Sequence, residues 1–243
     1  MTLLEWPRRV AALAQFRVPD LAAPALGRDD DHHLRRVLRA RDGEEVVVTD
    51  GRGSWRLCAV APDGLVALGD VGTDPAPAPT ALYLSPVAGD RAEWALAKAT
   101  ELGVARVVPL LARRAAPRFS GAARAKTLAR WRRVAAEAAG QCRRTHELVV
   151  DEPVGVGEVP AGVCVADVGG SSEWSGVRAV AVGPEGGWEP DEWGAERRRL
   201  SLGPSVLRAE TAGVVAAALI AFSNASWGFS VSGGAMGKDE ATR

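Results

Sequence analysis

The sequence predicts an α/β protein in which a small β-rich unit precedes a larger unit with a mostly parallel sheet. In the first 75 residues, short runs rich in β-branched side chains alternate with turn residues, which is typical of strands. Beyond the proline- and alanine-rich stretch 74–79, apolar runs of strand length alternate with segments of helical periodicity. That alternation favours a parallel sheet covered by helices on both faces.

The N-terminal unit is predicted to consist of strands, tight turns and one short helix. The strands are expected at 45–50, 55–61 and 65–71, with turns at 51–53 and 62–64. Asp30 or Asp31 can cap the helix, which should end near Gly43. Its two faces differ, with Leu34, Val37 and Leu38 on the apolar side and Arg35, Arg36 and Arg39 on the basic side.

The larger unit is predicted to begin after a stiff, extended proline linker. We therefore expect domains at 1–74 and 80–229, a linker at 75–79 and a disordered tail at 230–243. Strands are expected at 81–86, 104–111, 148–150, 163–168 and 179–182. Helices are expected at 91–102, 122–142, 189–199 and 208–222.

Length and composition indicate a globular protein. The chain has 243 residues, 47% of them hydrophobic, which is enough to bury a sizeable core. No apolar run is long enough to span a membrane and no signal-peptide pattern is present, so a soluble cytoplasmic protein is expected. Cys58, Cys142 and Cys164 are widely separated and lack metal-ligand spacing, so no metal site is expected.

Charge is distributed unevenly although the formal net charge is zero. Residues 106–144 hold eleven Arg or Lys and one acid, Glu137, whereas residues 145–196 hold eleven acids and one base, Arg178. A basic block of that density favours a polyanionic partner, and a solvated helix face is the alternative interpretation.

Two segments carry glycine loops after apolar strands. Residues 180–188 run from a buried strand into Gly-Pro-Glu-Gly-Gly, a loop that can be approached closely by a ligand or can be an ordinary tight turn. It is neither a P-loop nor a dinucleotide-binding glycine motif. In residues 202–212, Arg208 opens an apolar helix, where its charge gains nothing from the helix dipole, whereas Glu210 and Thr211 could simply cap that helix.

These segments together resemble the signature of the 16S ribosomal RNA uridine-N3 methyltransferases, the RsmE family of the SPOUT superfamily. The carrying motifs are Gly-Pro-Glu-Gly-Gly at 183–187 and Leu-Gly-Pro-x-x-Leu-Arg-x-Glu-Thr-Ala at 202–212. Segments 33–39, 98–103 and 141–144 agree in order and spacing, so that the resemblance covers about residues 30–222. Ser205, Gly140 and Arg91 depart from the family pattern, which often has a basic residue, an acid and a lysine there.

The resemblance implies a PUA-like RNA-binding domain followed by a SPOUT domain with a parallel sheet and a deep trefoil knot. It implies methyl transfer from S-adenosylmethionine to N3 of a uridine in 16S ribosomal RNA, within the small ribosomal subunit. It also implies a homodimer with the cofactor site near the subunit interface.

The implied site residues fall into three groups. The cofactor would contact Val182, Gly183, Pro184, Glu185, Gly186, Gly187, Leu202, Gly203, Leu207 and Thr211. The catalytic pair would be Arg208, stabilising the developing uracil oxyanion, and Glu210, acting as or positioning a base. His32, His33 and His146 are alternatives for proton transfer. RNA would be held by His33, Arg35, Arg36, Arg39, Arg130, Arg133 and Arg144.

Two other functions remain open from the sequence. A SPOUT methyltransferase acting on tRNA would use the same cofactor loops. A non-catalytic RNA-binding protein would use the basic block alone, although the intact glycine loops speak against it.

Overall fold

The computed structural model describes residues 5–87, 90–115, 121 and 123–224, which form two sheets. The first sheet has the order β1-β2-β3-β4, with β1 parallel to β2 and the other pairs antiparallel. Its strands are β1 (Gln15–Arg17), β2 (Glu45–Thr49), β3 (Ser54–Ala61) and β4 (Gly64–Thr73). Helix α1 (Glu5–Ala11) precedes β1. Helix α2 (Arg28–His32) and a π-helical turn (His33–Val37) follow one another between β1 and β2.

The short helix of this unit differs from the prediction in its cap and in its apolar face. The N-cap is Gly27, and no side chain bonds to the free amides, because Asp29 to Asp31 already lie within the first turn. Leu34 is buried, but Val37 is 59% exposed. The cause is the π-turn, in which the Leu38 N–H donates to the His33 carbonyl five residues earlier, so Val37 rotates off the buried face.

The second sheet is entirely parallel and has the order β11-β9-β10-β5-β6-β7, with β8 paired to β6. Its strands are β5 (Ala81–Leu84), β6 (Arg106–Leu111), β7 (Val149–Val150), β8 (Val154–Gly155), β9 (Cys164–Ser171), β10 (Ala179–Val182) and β11 (Arg199–Leu200). Its helices are α3 (Arg91–Glu101), α4 (Ala123–Gln141) and α5 (Ala209–Asn224), with a 3₁₀ turn at Val156–Glu158. The predicted alternation of strands and helices is confirmed from β5 to β7, whereas the strands from β7 to β11 follow one another with only the 3₁₀ turn between them.

The main core lies on one face of the parallel sheet. Leu82 and Val180 point towards buried residues of α3, α4 and α5, among them Trp131. Side chains alternate along a strand, so Tyr83 and Ala181 point to the other face, where loop residues such as Trp193 cover the sheet. The expectation of helices on both faces is therefore wrong for the described residues.

The helix predicted at 189–199 is also wrong, since this segment folds as successive turns. The carboxylate of Glu192 accepts hydrogen bonds from the Glu189 N–H at 2.9 Å and the Arg113 N–H at 2.6 Å. Pro190 and Gly194 are poor helix formers, and Trp193 is buried between the loops. Local side-chain bonding thus replaces a helical ladder.

The two sheets are joined by residues 74–80, which form neither helix nor strand. Arg143, in a left-handed conformation with φ 61°, donates to the Ala12 carbonyl across this junction. Gln15 donates in the opposite direction, to the Arg144 carbonyl at 2.7 Å. No helix of the described residues is long and apolar enough to cross a membrane.

Candidate active site

A pocket of about 860 Å³ opens where three neighbouring parallel strands end. The strands β11, β9 and β10 lie side by side, so their carboxyl ends meet at one edge of the sheet. Ligands of open α/β sheets bind at such edges. The first residue of α3, Arg91, completes the wall of the pocket.

The loop after β10 supplies part of the predicted cofactor site. Val182, Gly183, Pro184, Glu185 and Gly187 line the pocket, as expected. A Cβ added to Gly183 would lie 2.9 Å from the indole of Trp188, and Gly187 has φ +69°, so both positions favour glycine.

Gly186 does not line the pocket, although the family resemblance of the sequence implied that it contacts the cofactor. Its carbonyl accepts a hydrogen bond from Arg114 Nη1 at 2.8 Å. An added Cβ would meet only the flexible Arg114 side chain, at 3.3 Å. Gly186 therefore belongs to the outer side of the loop.

The loop after β11 supplies the opposite wall. Leu202, Gly203, Leu207 and Arg208 line the pocket, together with Ser205. Helix α5 begins at Ala209, and the next two residues, Glu210 and Thr211, are absent from the pocket lining among the residues that the structure describes.

The third wall was not predicted from the sequence. Ala166, Asp167 and Val168 of β9 line the pocket because the register with β11 jumps from Val165 to Ser171, which frees the residues between. Trp188 also lines it and donates from Nε1 to the Ala166 carbonyl at 3.0 Å. The position of Trp188 directly after the glycine loop was the one signal for this wall.

Arg208 is the pocket-lining arginine without a carboxylate partner among the described residues. Arg199 pairs with Asp167, and Arg91 pairs with Glu185. Arg208 is exposed and forms no ion pair with the described part of the chain. Its charge is therefore available to an anion in the pocket.

Glu210 lies beneath the pocket wall. The residue is 9% exposed, and its Oε2 is buried without a hydrogen-bond partner among the described residues. Its Oε1 lies 3.7 Å from Nη1 of Arg91. The candidate base thus faces an arginine, and the arginine lines the pocket.

None of the three histidines lines this pocket in the described parts of the chain. His32 and His33 lie where α2 meets the π-turn, and both are exposed. The Nε2 of His146 lies 3.1 Å from the Asp74 carbonyl, at the junction of the two sheets.

The predicted RNA-binding residues divide by their partners. On the π-turn and just after it, His33, Arg36 and Arg39 are exposed and form no ion pair with described residues. Arg35 is engaged, because it pairs with Asp31 and donates to the Ala61 carbonyl at 2.8 Å.

The basic block 106–144 is largely neutralised by the acidic segment that follows it. The two segments form the pairs Arg106–Asp151, Arg113–Asp191, Arg114–Glu189, Arg124–Glu152 and Arg132–Glu152. Arg130 and Arg133, which were assigned to RNA, pair with Glu93 and Glu137. In the folded protein, most arginines of the basic block therefore have a carboxylate partner.

Arg144, which was also assigned to RNA, is partly buried and donates to backbone carbonyls. Its guanidinium donates to the carbonyls of His146 and, at 3.0 Å, Thr100. Burial lowers the pKa of Arg144 to about 10, so the group still carries its charge near neutral pH. These contacts tie the loop after α4 to α3.

The described residues contain no cluster of His, Cys, Asp or Glu that could hold a metal ion. Cys58 and Cys164 are buried and Cys142 is partly buried, and all three are free. Burial raises the pKa of the Cys58 thiol to about 11, which makes it a poor nucleophile.

Comparison with known proteins agrees with this geometry. Residues 74–221 match the RNA methyltransferase domain, and residues 26–65 match the PUA domain of RNA methyltransferases. This chain belongs to the RNA methyltransferase family. The family match spans the parallel sheet and all three walls of the pocket, and it confirms the PUA-like character of the N-terminal unit.

Named relatives of this RNA methyltransferase include several bacterial proteins called ribosomal RNA small subunit methyltransferase E. The chain is 31% identical to that of Mycobacterium bovis, over 88% of this chain and 92% of the relative. It is 33% identical to that of Synechocystis, over 78% of this chain and 69% of the relative.

Two similar solved structures hold S-adenosylmethionine. A methyltransferase from Legionella pneumophila is 25% identical, has a TM-score of 0.73, and matches 85% of this chain and 96% of its own. A ribosomal RNA small subunit methyltransferase E from Neisseria gonorrhoeae is 26% identical, with a TM-score of 0.73 and coverage of 84% and 95%.

Proposed function

We propose that this RNA methyltransferase transfers the methyl group of S-adenosylmethionine to N3 of a uridine in 16S ribosomal RNA. The observation that carries the proposal is the glycine-walled pocket with one cation, Arg208, that no described carboxylate neutralises. The relatives named for the small-subunit RNA support the substrate, and the family resemblance of the two loops supports the N3 position.

The pocket fits an adenosine-containing ligand. Its volume lies within the range of small-molecule sites, about 300–1,000 Å³. Gly183, Gly187 and Gly203 lack side chains and so allow a nucleoside to approach the backbone closely, while Leu202 and Leu207 offer apolar walls. The two solved relatives with bound S-adenosylmethionine support the same ligand here.

Bound S-adenosylmethionine would supply a sulfonium methyl group with a good leaving group. The protein must then hold the acceptor in line with that methyl group. Uracil N3 lies on the pairing edge, so the base must leave its duplex and must lose a proton. Arg208 is suited to stabilise the negative charge that develops on the uracil carbonyl oxygens.

We propose that RNA is gripped mainly by the N-terminal unit, within domain boundaries of 1–74 and 80–229. Arg36 and Arg39 lack carboxylate partners among the described residues, whereas most arginines of α4 and its flanks are paired. Unpaired arginines bind phosphate without first breaking an ion pair. The relatives are bacterial, so the expected setting is the small ribosomal subunit in the cytoplasm.

We also propose a homodimer. Between Ala212 and Phe222, helix α5 is apolar around its circumference, which is typical of a helix buried on all sides. Its inner face packs in the core, but Val215 and Ala218 on the outer face are only partly buried and Phe222 is 61% exposed. A second copy covering this face would remove apolar surface from water close to the pocket wall that α5 carries.

The proposed function can be tested with purified protein, S-adenosylmethionine labelled in the methyl group, and small ribosomal subunits that lack the modification. Label should enter 16S RNA as N3-methyluridine. Arg208→Ala should lower the rate at least about a hundredfold, as for loss of an oxyanion-stabilising group. The matched control is Arg178→Ala, an exposed arginine before β10, at the opposite end of the sheet. Absence of label from RNA with the wild-type protein would refute the proposal.

A further inference from the structure

We propose that Glu210 is a positioning residue, which acts through Arg91 and Glu185 to fix the cofactor loop after β10. The inference rests on the proposed cofactor site, and it replaces the expectation that Glu210 accepts the uracil proton. The three residues come from three separate segments, namely α5, the start of α3 and the loop after β10. We call them the loop relay.

In the loop relay, Arg91 contacts both carboxylates and so connects the buried Glu210 to Glu185 at the pocket. Nη1 of Arg91 lies 3.7 Å from Oε1 of Glu210, which is an ion-pair distance. The same nitrogen donates a hydrogen bond to Oε1 of Glu185. Arg91 and Glu185 line the pocket, and Glu210 does not.

The three side chains differ in burial, and the most buried one, Glu210, is the one that does not line the pocket. The side chain of Glu210 is 11% exposed, that of Arg91 36% and that of Glu185 50%. A buried carboxylate is costly unless a cation compensates it, and the guanidinium of Arg91 is the cation that reaches Glu210. Glu210 therefore holds Arg91 in place more firmly than the solvated Glu185 could alone.

The loop needs such an anchor because its own side chains are few. Gly183, Gly186 and Gly187 leave its backbone without side-chain packing of its own. Arg114 holds one side of the loop, through the Gly186 carbonyl at 2.8 Å and the Glu189 carboxylate at 2.7 Å. Arg91 holds the other side through Glu185, so two arginines fix the loop from opposite segments.

The geometry does not suit Glu210 for proton transfer. A general base must come within about 2.6–3.2 Å of the atom that gives up the proton. Glu210 is absent from the pocket lining among the described residues, and Arg91 already faces its Oε1. A positioning role, in contrast, needs only the observed contacts of Arg91 with Glu210 and Glu185.

The test measures cofactor affinity and turnover separately, in Glu210→Gln and Arg91→Gln. Each variant should raise the Kd for S-adenosylmethionine about tenfold, as expected for one charge-assisted contact. With saturating cofactor, kcat should stay within about threefold of wild type, since no reacting group is lost. Arg91→Lys should restore part of the affinity, because it keeps the charge. The control Arg133→Gln removes a surface pair on α4 and should leave the Kd unchanged.

The double variant tests whether the residues act as one unit. If they do, Arg91→Gln combined with Glu210→Gln should raise the Kd no more than the stronger single change. Additive effects would refute the relay. So would an unchanged Kd with kcat reduced a hundredfold and an altered pH–rate profile in Glu210→Gln, because that pattern identifies a base.

Failure of the relay and failure of the proposed function give different results. If the wild-type protein binds no S-adenosylmethionine, the proposed cofactor site is wrong. If wild type binds the cofactor and both single variants bind it equally well, the site stands and only the relay is wrong.

Discussion

The guanidinium of Arg9 is completely buried and donates from Nη1 to both carboxylate oxygens of Asp74, each at 2.9 Å. Asp74 also accepts from Thr145 Oγ1 at 2.7 Å and from Trp55 Nε1 at 3.2 Å. One carboxylate thus joins α1, β3, the linker and the loop after α4. The π-turn (His33–Val37) belongs to the N-terminal unit and the pocket to the parallel-sheet unit, so Asp74 helps to hold these two units together.

Asp74→Asn should destabilise the protein by about 3 kcal/mol, because it removes the carboxylate that pairs with the buried Arg9 cation. Chemical denaturation measures this as a fall in the free energy of unfolding. Arg133→Gln, which breaks an exposed pair with Glu137, should change it little. Equal stability of Asp74→Asn and wild type would show that the junction does not depend on this ion pair.

Gly183→Ala should weaken S-adenosylmethionine binding, because the new methyl group would meet the Trp188 indole at 2.9 Å and displace a pocket wall. Gly186→Ala is the matched control, since its methyl group would meet only the flexible Arg114 side chain outside the pocket. Isothermal titration calorimetry should therefore show lower affinity for the first variant and nearly unchanged affinity for the second. The reverse order would mean that the cofactor lies on the other side of the loop.

Replacing Arg36 and Arg39 together by Gln should weaken RNA binding and flatten its salt dependence. If each arginine contacts one phosphate of single-stranded RNA, the slope of log affinity against log salt should fall in magnitude by about 1.4. Arg124 and Arg132 share Glu152 in the structure, so the same replacement there should leave the slope almost unchanged. If the two double variants have the same slope of log affinity against log salt, the N-terminal turn does not contact RNA.

Phe222→Glu should shift the protein from dimer to monomer, because a charge in the apolar outer face of α5 opposes its burial against a second copy. Val66→Glu on β4 is the control, since Val66 is similarly exposed but lies on the other sheet. Sedimentation equilibrium distinguishes the outcomes. A wild-type protein that remains monomeric at micromolar concentration would contradict the dimer.

Strong periodicity and local turn chemistry made most of the fold predictable. The β10 strand (Ala179–Val182) is found where the apolar run placed it, and helix α4 (Ala123–Gln141) lies within the range 122–142 predicted for it. The helix expected at 189–199 does not form, because Glu192 bonds to backbone amides and Trp193 is buried among loops. Sequence periodicity does not report such contacts. The trefoil knot stays a prediction from the resemblance.

The candidate site was predictable only where its residues lie in glycine loops. Asp167 and its neighbours reach the pocket through an irregular register between β9 and β11, which leaves no pattern in the sequence. The burial of Glu210 and the pairing of the basic block depend on contacts between distant segments. Charge counts along the chain therefore do not show which arginines of α4 are paired with carboxylates.

The most direct test of the central claim is mass spectrometry of nucleosides in 16S ribosomal RNA from cells that lack this protein. The account predicts that N3-methyluridine disappears, returns on expression of the wild-type chain, and stays absent with Arg208→Ala. Unchanged N3-methyluridine in the deletion strain, or full restoration by Arg208→Ala, would contradict the account.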